Sequence, residues 1–381
     1  MAKRRLGQVV SPKLLEVAKR ARLDPSYRFL TLAYLLDEQA LARSFKRIRK
    51  DAAKGVDGMT KEQYGAELGA RLQDLHQRMK AGRYRHQPIR RVLIPKGAGK
   101  YRPIGVSTIE DKVVQGALRE VLEAIYEQDF RKCSYGFRPG RSAHDALRAV
   151  NKMSFRGNIA WILEADIRSF FDSLDRAKLK AMLQERVADG SLLRLVGKCL
   201  HVGVLDGERY TLPGEGTVQG SVISPLLGNV YLHHVLDRWF EDEVRGQLAC
   251  NAQLIRYADD FAIGFARLDD AEKFLALLKE RFAAHGLTLH DEKTRLVAFR
   301  RPPRSQPEGK SPGNFDLLGF TVHWRRGRGG RWVLGMRTQR SRFQRSVRTI
   351  SELCRSHRHD PLQRQPTRSV SAYEVTSTTL E

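Results

Sequence analysis

Cysteine is scarce in this chain, and what there is forms no pattern. Cys133, Cys199, Cys250 and Cys354 stand apart with no C-x-x-C pair, which excludes zinc-ribbon and zinc-finger spacings and makes a disulfide framework implausible. Long apolar runs are missing as well. Nothing approaches the roughly 20 residues needed to cross a bilayer, and no basic amphipathic run carries a bulky apolar face, so no membrane is expected as a partner. The basic start, Met1 to Gly7, leads into no apolar signal core, and a reducing, cytoplasmic location is the expectation. Acid is the third shortage. Asp plus Glu number 43 against 68 Lys plus Arg, a formal net charge of +25 in 381 residues. An excess of that size calls for a polyanion, and nucleic acid is the obvious one.

The charge is spread along the chain. Residues 1–60 hold 14 basic and 6 acidic side chains, and residues 300–381 hold 17 and 6. A chain basic at both ends and between them suits a groove that tracks a long backbone. With 41% hydrophobic residues, it has ample material for a core and for two or three domains.

Periodicity predicts helices in the first fifty residues and over about 61–80, separated by the turn Lys54-Gly55-Val56-Asp57-Gly58-Met59-Thr60. Arg90 to Pro95 and Tyr101 to Val106 read as two strands around a Gly/Lys turn. Lys96 and Arg102 on that hairpin could face a triphosphate or simply solvent. Ser107 or Thr108 should cap a long apolar-faced helix with Glu110 and Asp111 in its first turn. In Tyr135-Gly136-Phe137-Arg138-Pro139-Gly140-Arg141-Ser142, the two arginines are either a phosphate seat or surface charge. Ser224-Pro225 opens a helix after the glycine-containing loop at 217–223, and His233-His234 are ordinary helix residues. Strands follow at 315–322 and 331–334, then a basic helix from about Gln339 to Cys354. The last twenty residues are polar and expected to be disordered.

Two pairs of acids interrupt apolar segments in a way that asks for a cation. In Trp161-Ile162-Leu163-Glu164-Ala165-Asp166-Ile167, Glu164 and Asp166 fall on one strand face. In Leu254 to Phe265, a hairpin of β-formers places Asp259-Asp260 at or beside its turn. Asp is common in turns for local reasons, so the pair alone is ambiguous. Asp166 supplies a natural third member, since acids in so apolar a run are costly unless paired or bound to a cation.

Taken in order, Ile94-Pro95-Lys96 with Arg102-Pro103, Tyr135-Gly136-Phe137-Arg138-Pro139, Ala165-Asp166-Ile167, Gln219-Gly220-Ser221, Tyr257-Ala258-Asp259-Asp260, Glu292-Lys293-Thr294 and Leu318-Gly319-Phe320 resemble bacterial reverse transcriptases. The resemblance is strongest to the reverse transcriptase/maturase proteins encoded by group II introns. It implies an α+β, right-hand polymerase. Fingers and palm would occupy 86–325, with an antiparallel palm sheet packed on helices, and residues 1–85 would form an N-terminal extension and the start of the fingers. An incomplete helical thumb or maturase region would follow at 326–360, and a disordered tail at 361–381.

It also implies RNA-directed DNA synthesis from a primer 3′-hydroxyl with deoxynucleotides on an RNA template. Two magnesium ions would be held by Asp166, Asp259, Asp260 and the Ile167 carbonyl, and group II intron RNA would be a further partner. Lys96 and Arg102 would contact the triphosphate, Phe171 would crowd a ribose 2′-hydroxyl, Gln219 would lie against nucleotide and template, and Lys293 would act on the pyrophosphate. The competing expectations are a non-catalytic RNA-binding maturase and a reverse transcriptase of phage defence.

Overall fold

The computed structural model describes residues 11–97, 100–206, 209–211, 216–217, 220–307, 312–356 and 358. Helices α1 (Pro12–Leu23) and α2 (Glu38–Arg47) open the chain. The short α3 (Lys61–Gly65) starts at a reciprocal Thr60/Gln63 capping box and is followed by α4 (Leu68–Lys80). Strands β1 (Ile89–Gly97) and β2 (Lys100–Val106) form the expected hairpin. Thr108, rather than Ser107, caps α5 (Ile109–Asp129), accepting the Asp111 N–H at 3.2 Å.

Helix α6 (Ala143–Arg156), strand β3 (Trp161–Ala165) and helices α7 (Arg176–Gln184) and α8 (Gly190–Leu200) come next. Strands β4 (Val204–Asp206) and β5 (Arg209–Thr211) precede α9 (Ser224–Leu232). Ser224 lies inside α9 and Ile223 precedes it, one residue earlier than the sequence suggests. Beyond α9 the coil widens into π-helical turns over His233–Arg238 and Phe240–Val244.

The chain then forms strands β6 (Ala252–Tyr257) and β7 (Asp260–Phe265), helix α10 (Leu268–Ala284) and strand β8 (Arg295–Ala298). Strands β9 (Phe315–Leu317), β10 (Phe320–Arg326) and β11 (Trp332–Thr338) lead to α11 (Arg340–Ser356).

These elements fall into two compact units. The first holds the described residues up to Arg141, with Ile167–Val244 and Leu278–Leu289. The second holds Ser142–Asp166, Arg245–Leu277 and the described residues from His290 onward.

The first unit is organised on α5. Val113, Val114, Leu118, Leu122 and Ile125 are essentially inaccessible, and each such side chain is worth about 2 kcal/mol when fully buried. Helices α1, α2, α8 and α9 pack on it. Its sheet runs β2-β1-β4-β5, antiparallel except where β1 meets β4. At its corner, Arg138 is buried, not displayed. Its guanidinium binds Glu127 at 3.1 Å and the Arg131 and Ser134 carbonyls at 2.9 Å. Arg141 donates to the Lys132 and Ser134 carbonyls. Neither reading of that loop, phosphate seat or solvated charge, describes Arg138. It is an internal clamp.

The second unit contains an antiparallel sheet in the order β6-β7-β3-β8 and a three-stranded sheet in the order β11-β10-β9. Ile162, Leu163, Phe261, Ala262, Ile263 and Phe265 fill the core of the former. Mixed helices and largely antiparallel sheets agree with the expected α+β class. Residues 361–381 lie outside the described residues.

Candidate active site

The register of the central sheet assembles the acids. Ala165 on β3 faces Phe261 on β7, so the next antiparallel step sets Asp166 opposite Asp260. Tyr257 pairs with Asp260, which leaves Ala258-Asp259 as a two-residue hairpin loop. Ala258 takes φ +57°, a left-handed conformation that costs a non-glycine residue about 1 kcal/mol. Arg256 helps to hold it. Its side chain is fully buried, and a guanidinium N–H donates to the Ala258 carbonyl at 2.9 Å.

A second turn faces the same carboxylates. Leu318 and Gly319, both at positive φ, link β9 to β10. The Leu318 N–H donates to Asp260 Oδ2 at 2.7 Å. Against that favourable bond, burial pushes the Asp260 carboxyl up to about 7, and the charges of Asp259, Asp166 and Glu164 push the same way. Lys293, in a short turn of 3₁₀ helix, places its ammonium on Asp166 Oδ2. The His290 N–H donates to the Asp166 backbone carbonyl at 2.8 Å. Glu164, the same-face neighbour of Asp166, is committed elsewhere, since Arg295 opposite it on β8 binds its carboxylate at 2.9 Å.

Asp166, Asp259, Asp260 and Lys293 therefore share the second unit. Of the other candidate site residues, Lys96, Arg102, Ile167 and Phe171 belong to the first. The Lys96 backbone lies in β1, and its side chain is outside the described residues, as is Gln219 altogether. Arg102 is exposed on β2 opposite Ile94. Ile167 is buried and bridges to Leu289. Phe171 is part-buried beside Phe170, with ring centroids 5.1 Å apart, and its backbone carbonyl accepts the Thr217 N–H at 2.6 Å. Arg256 and the Leu318 N–H were not singled out. A charged residue inside an apolar strand was the available signal for Arg256, while nothing local announces a turn N–H aimed at an acid 58 residues away.

The donor set is all carboxylate oxygen, which suits a hard divalent cation. The upward displacement of Asp260 comes first from burial and then from the neighbouring acids, so a cation at this carboxylate would relieve both. Among the described residues, no group of three or more His, Cys, Asp or Glu is gathered tightly enough to hold a metal ion. The Lys293 ammonium supplies the local positive charge at Asp166.

Comparison with known proteins gives the family of the chain. Residues 94–322 match the family described as reverse transcriptase (RNA-dependent DNA polymerase). Protein YkfC of Escherichia coli (strain K12) is 33% identical over 289 residues, 67% of this chain and 75% of that protein. The group II intron-encoded protein LtrA of Lactococcus lactis subsp. cremoris is 38% identical over 185 residues, 48% of this chain and 30% of that protein. An uncharacterized 91 kDa protein in the cob intron of Schizosaccharomyces pombe is 36% identical over 233 residues, 60% of this chain and 28% of that protein. The chain belongs to the reverse transcriptase family. Within it, the chain is of the group II intron-encoded reverse transcriptase/maturase type. No helix among the described residues is long and apolar enough to cross a membrane.

Proposed function

We propose that this chain extends a primer 3′-hydroxyl with deoxynucleotides on an RNA template, and that Asp166, Asp259 and Asp260 hold two magnesium ions with help from the Ile167 carbonyl. Such ions, when bound, supply Lewis-acid activation of the hydroxyl and charge neutralisation at the departing pyrophosphate. The observation that carries the proposal is the convergence of Asp166, one step beyond the Ala165–Phe261 pair, on Asp260 and the Asp259 turn, whose charges act on one another, inside a match to the family that spans 94–322.

The chain's own groups divide the remaining work. Lys293, on Asp166 in this structure, would turn to the pyrophosphate and donate a proton or charge. Lys96 and Arg102 bind the triphosphate, Gln219 lies against nucleotide and template, and Phe171 excludes a 2′-hydroxyl by contact. Residues 86–325 act as fingers and palm behind an N-terminal extension in 1–85, and α11 begins the thumb. The Leu318-Gly319 turn grips the primer terminus. Intron RNA is the further partner, with splicing assistance as the associated role.

A magnesium titration tests this. Primer extension on an annealed RNA template should rise from nothing in chelator to a plateau at millimolar magnesium. A folded preparation that binds RNA yet never extends leaves the second reading, an RNA-binding maturase. The Lys293–Asp166 pair, which gives one of the three acids a partner within the chain, is the observation that favours that reading.

A further inference from the structure

A second cationic feature lies wholly within the first unit. Helices α7 and α8, with the segment before β1, enclose a cavity of about 750 Å³, within the size range of ligand pockets. Its rim carries Arg85, Arg176, Lys180, Arg194, Lys198 and His201, and no carboxylate lines it among the described residues. Leu183, Val196 and Leu200 give it an apolar floor.

The cations divide by how they are held. Lys198 is anchored, donating to the Gly82 carbonyl at 3.0 Å and the Tyr84 carbonyl at 2.5 Å. Arg176 Nε donates to the Gly216 carbonyl at 2.7 Å. Arg85, Lys180 and Arg194 are exposed, and none makes an ion pair with a described carboxylate. Among the described residues, the side-chain partner of Arg194 is the Ser191 hydroxyl of its own helix, at 3.0 Å. Burial, with the charges of Arg85 and Arg194, holds the Lys198 ammonium below its ordinary value. Like charges converge here around a concave floor that no carboxylate lines among the described residues. Lys198 lies in the last turn of α8, where the helix dipole favours a cation, but Arg85 precedes β1 and Lys180 and Arg194 lie within helices, so helix ends do not gather the whole set.

We propose that this pocket binds the phosphodiester backbone of a nucleic-acid strand, as a site separate from the carboxylate cluster. Several phosphates along one strand match several cations around one rim, and the apolar floor accepts a sugar or base face. One rim residue touches the loop that precedes α9, and a second lining residue reaches it through Gln115. Arg176 holds Gly216, and His86, which also lines the cavity, meets Gln115 at 2.8 Å while Gln115 Oε1 accepts the Val222 N–H at 3.0 Å. A strand in the pocket would therefore rest against the supports of that loop.

The proposal rests on the nucleic-acid reading above, and its test is binding without nucleotides, so a failure of polymerisation leaves it readable. Labelled, unstructured RNA and DNA oligonucleotides of equal length are titrated by anisotropy across a salt series. Wild type is compared with a triple variant, Arg85→Gln, Lys180→Gln and Arg194→Gln. A control triple, Lys19→Gln, Arg22→Gln and Lys50→Gln, removes equal charge from exposed sites elsewhere in this unit. Three lost phosphate contacts should lower the log–log salt slope by about 2, and affinity at low salt by tenfold or more. The control should lose much less. A loss on RNA alone assigns the pocket to the RNA strand, and a loss on DNA alone to the DNA strand. No loss on either, or a loss matched by the control triple, overturns the proposal. If the triple variant does not fold, Lys180→Gln alone should still lower the slope by about 0.7, and an unchanged slope overturns the proposal equally.

Discussion

Replacing Asp260 with asparagine should stabilise the metal-free protein. The carboxyl stands at about 7 in the folded chain against an ordinary value of 3.8. A gap of roughly 3 units corresponds to a ceiling of about 4 kcal/mol against the charged form. Because Asp260 is only part-buried, solvent screening brings the expected figure to about 1–3 kcal/mol. Asparagine keeps a carbonyl oxygen for the Leu318 N–H, so the 2.7 Å bond need not be lost. The pH dependence has a definite sign. Between 3.8 and about 7 the folded state binds more protons at this site than the unfolded chain, so the acid weakens the fold as pH rises through that window. Urea unfolding in chelator at pH 5 and pH 8 measures the effect. The Asp260→Asn advantage should be full at pH 8 and less than half as large at pH 5. Millimolar magnesium should narrow it by stabilising wild type through binding. An asparagine variant no more stable than wild type at pH 8, or a difference independent of pH, would refute the claim that burial and the neighbouring acids disfavour the Asp260 carboxylate.

Other expectations follow from single contacts. A Cβ on Gly55 would lie 2.6 Å from the backbone of Thr108, the cap of α5. Backbone has nowhere to move, so Gly55→Ala should cost about 1–3 kcal/mol by urea midpoint, and a change under about 0.5 would contradict the packing. His234 is held down to about 4 by burial, opposed by Glu185 at 3.3 Å and reinforced by Arg238. The folded state thus binds fewer protons than the unfolded chain between about 4 and 6.5, and stability is lost as pH falls through that window. His234→Gln should remove about 1–2 kcal/mol of that loss at pH 5 while pH 7 midpoints stay close to wild type. Phe171→Ala should raise ribonucleotide use relative to deoxynucleotide use in single-nucleotide extension, and an unchanged ratio would remove Phe171 from sugar selection.

What could be read in the sequence was what is local. Alternating β-formers around Asp259-Asp260 fix the hairpin, Thr108 with Asp111 fixes the start of α5, and glycine at 58 fits a turn that needs φ +66°. Illegible features depend on partners far along the chain. Arg138 looks like surface charge until Glu127 and two carbonyls enclose it. Arg256 looks like a polar residue beside a turn until the sheet buries it. Three-residue strands such as β4 and β5 are too short to show a period, and the widening of α9 into π-turns leaves no mark in an apolar run. Among the acids, same-face geometry could be read within β3, whereas the register that sets Asp166 opposite Asp260 is a property of the folded sheet.

The central claim is that the carboxylates at the β6–β7 turn carry out synthesis and do not merely shape a scaffold. Its most direct measurement compares wild type with Asp259→Ala for two quantities on the same preparations: extension rate on an RNA template with magnesium and deoxynucleotides, and affinity for the template–primer. Extension should fall by at least a thousandfold, about 4 kcal/mol in barrier terms, while affinity stays within a few-fold. Extension that survives the substitution, or its absence from well-folded wild type, would contradict the claim.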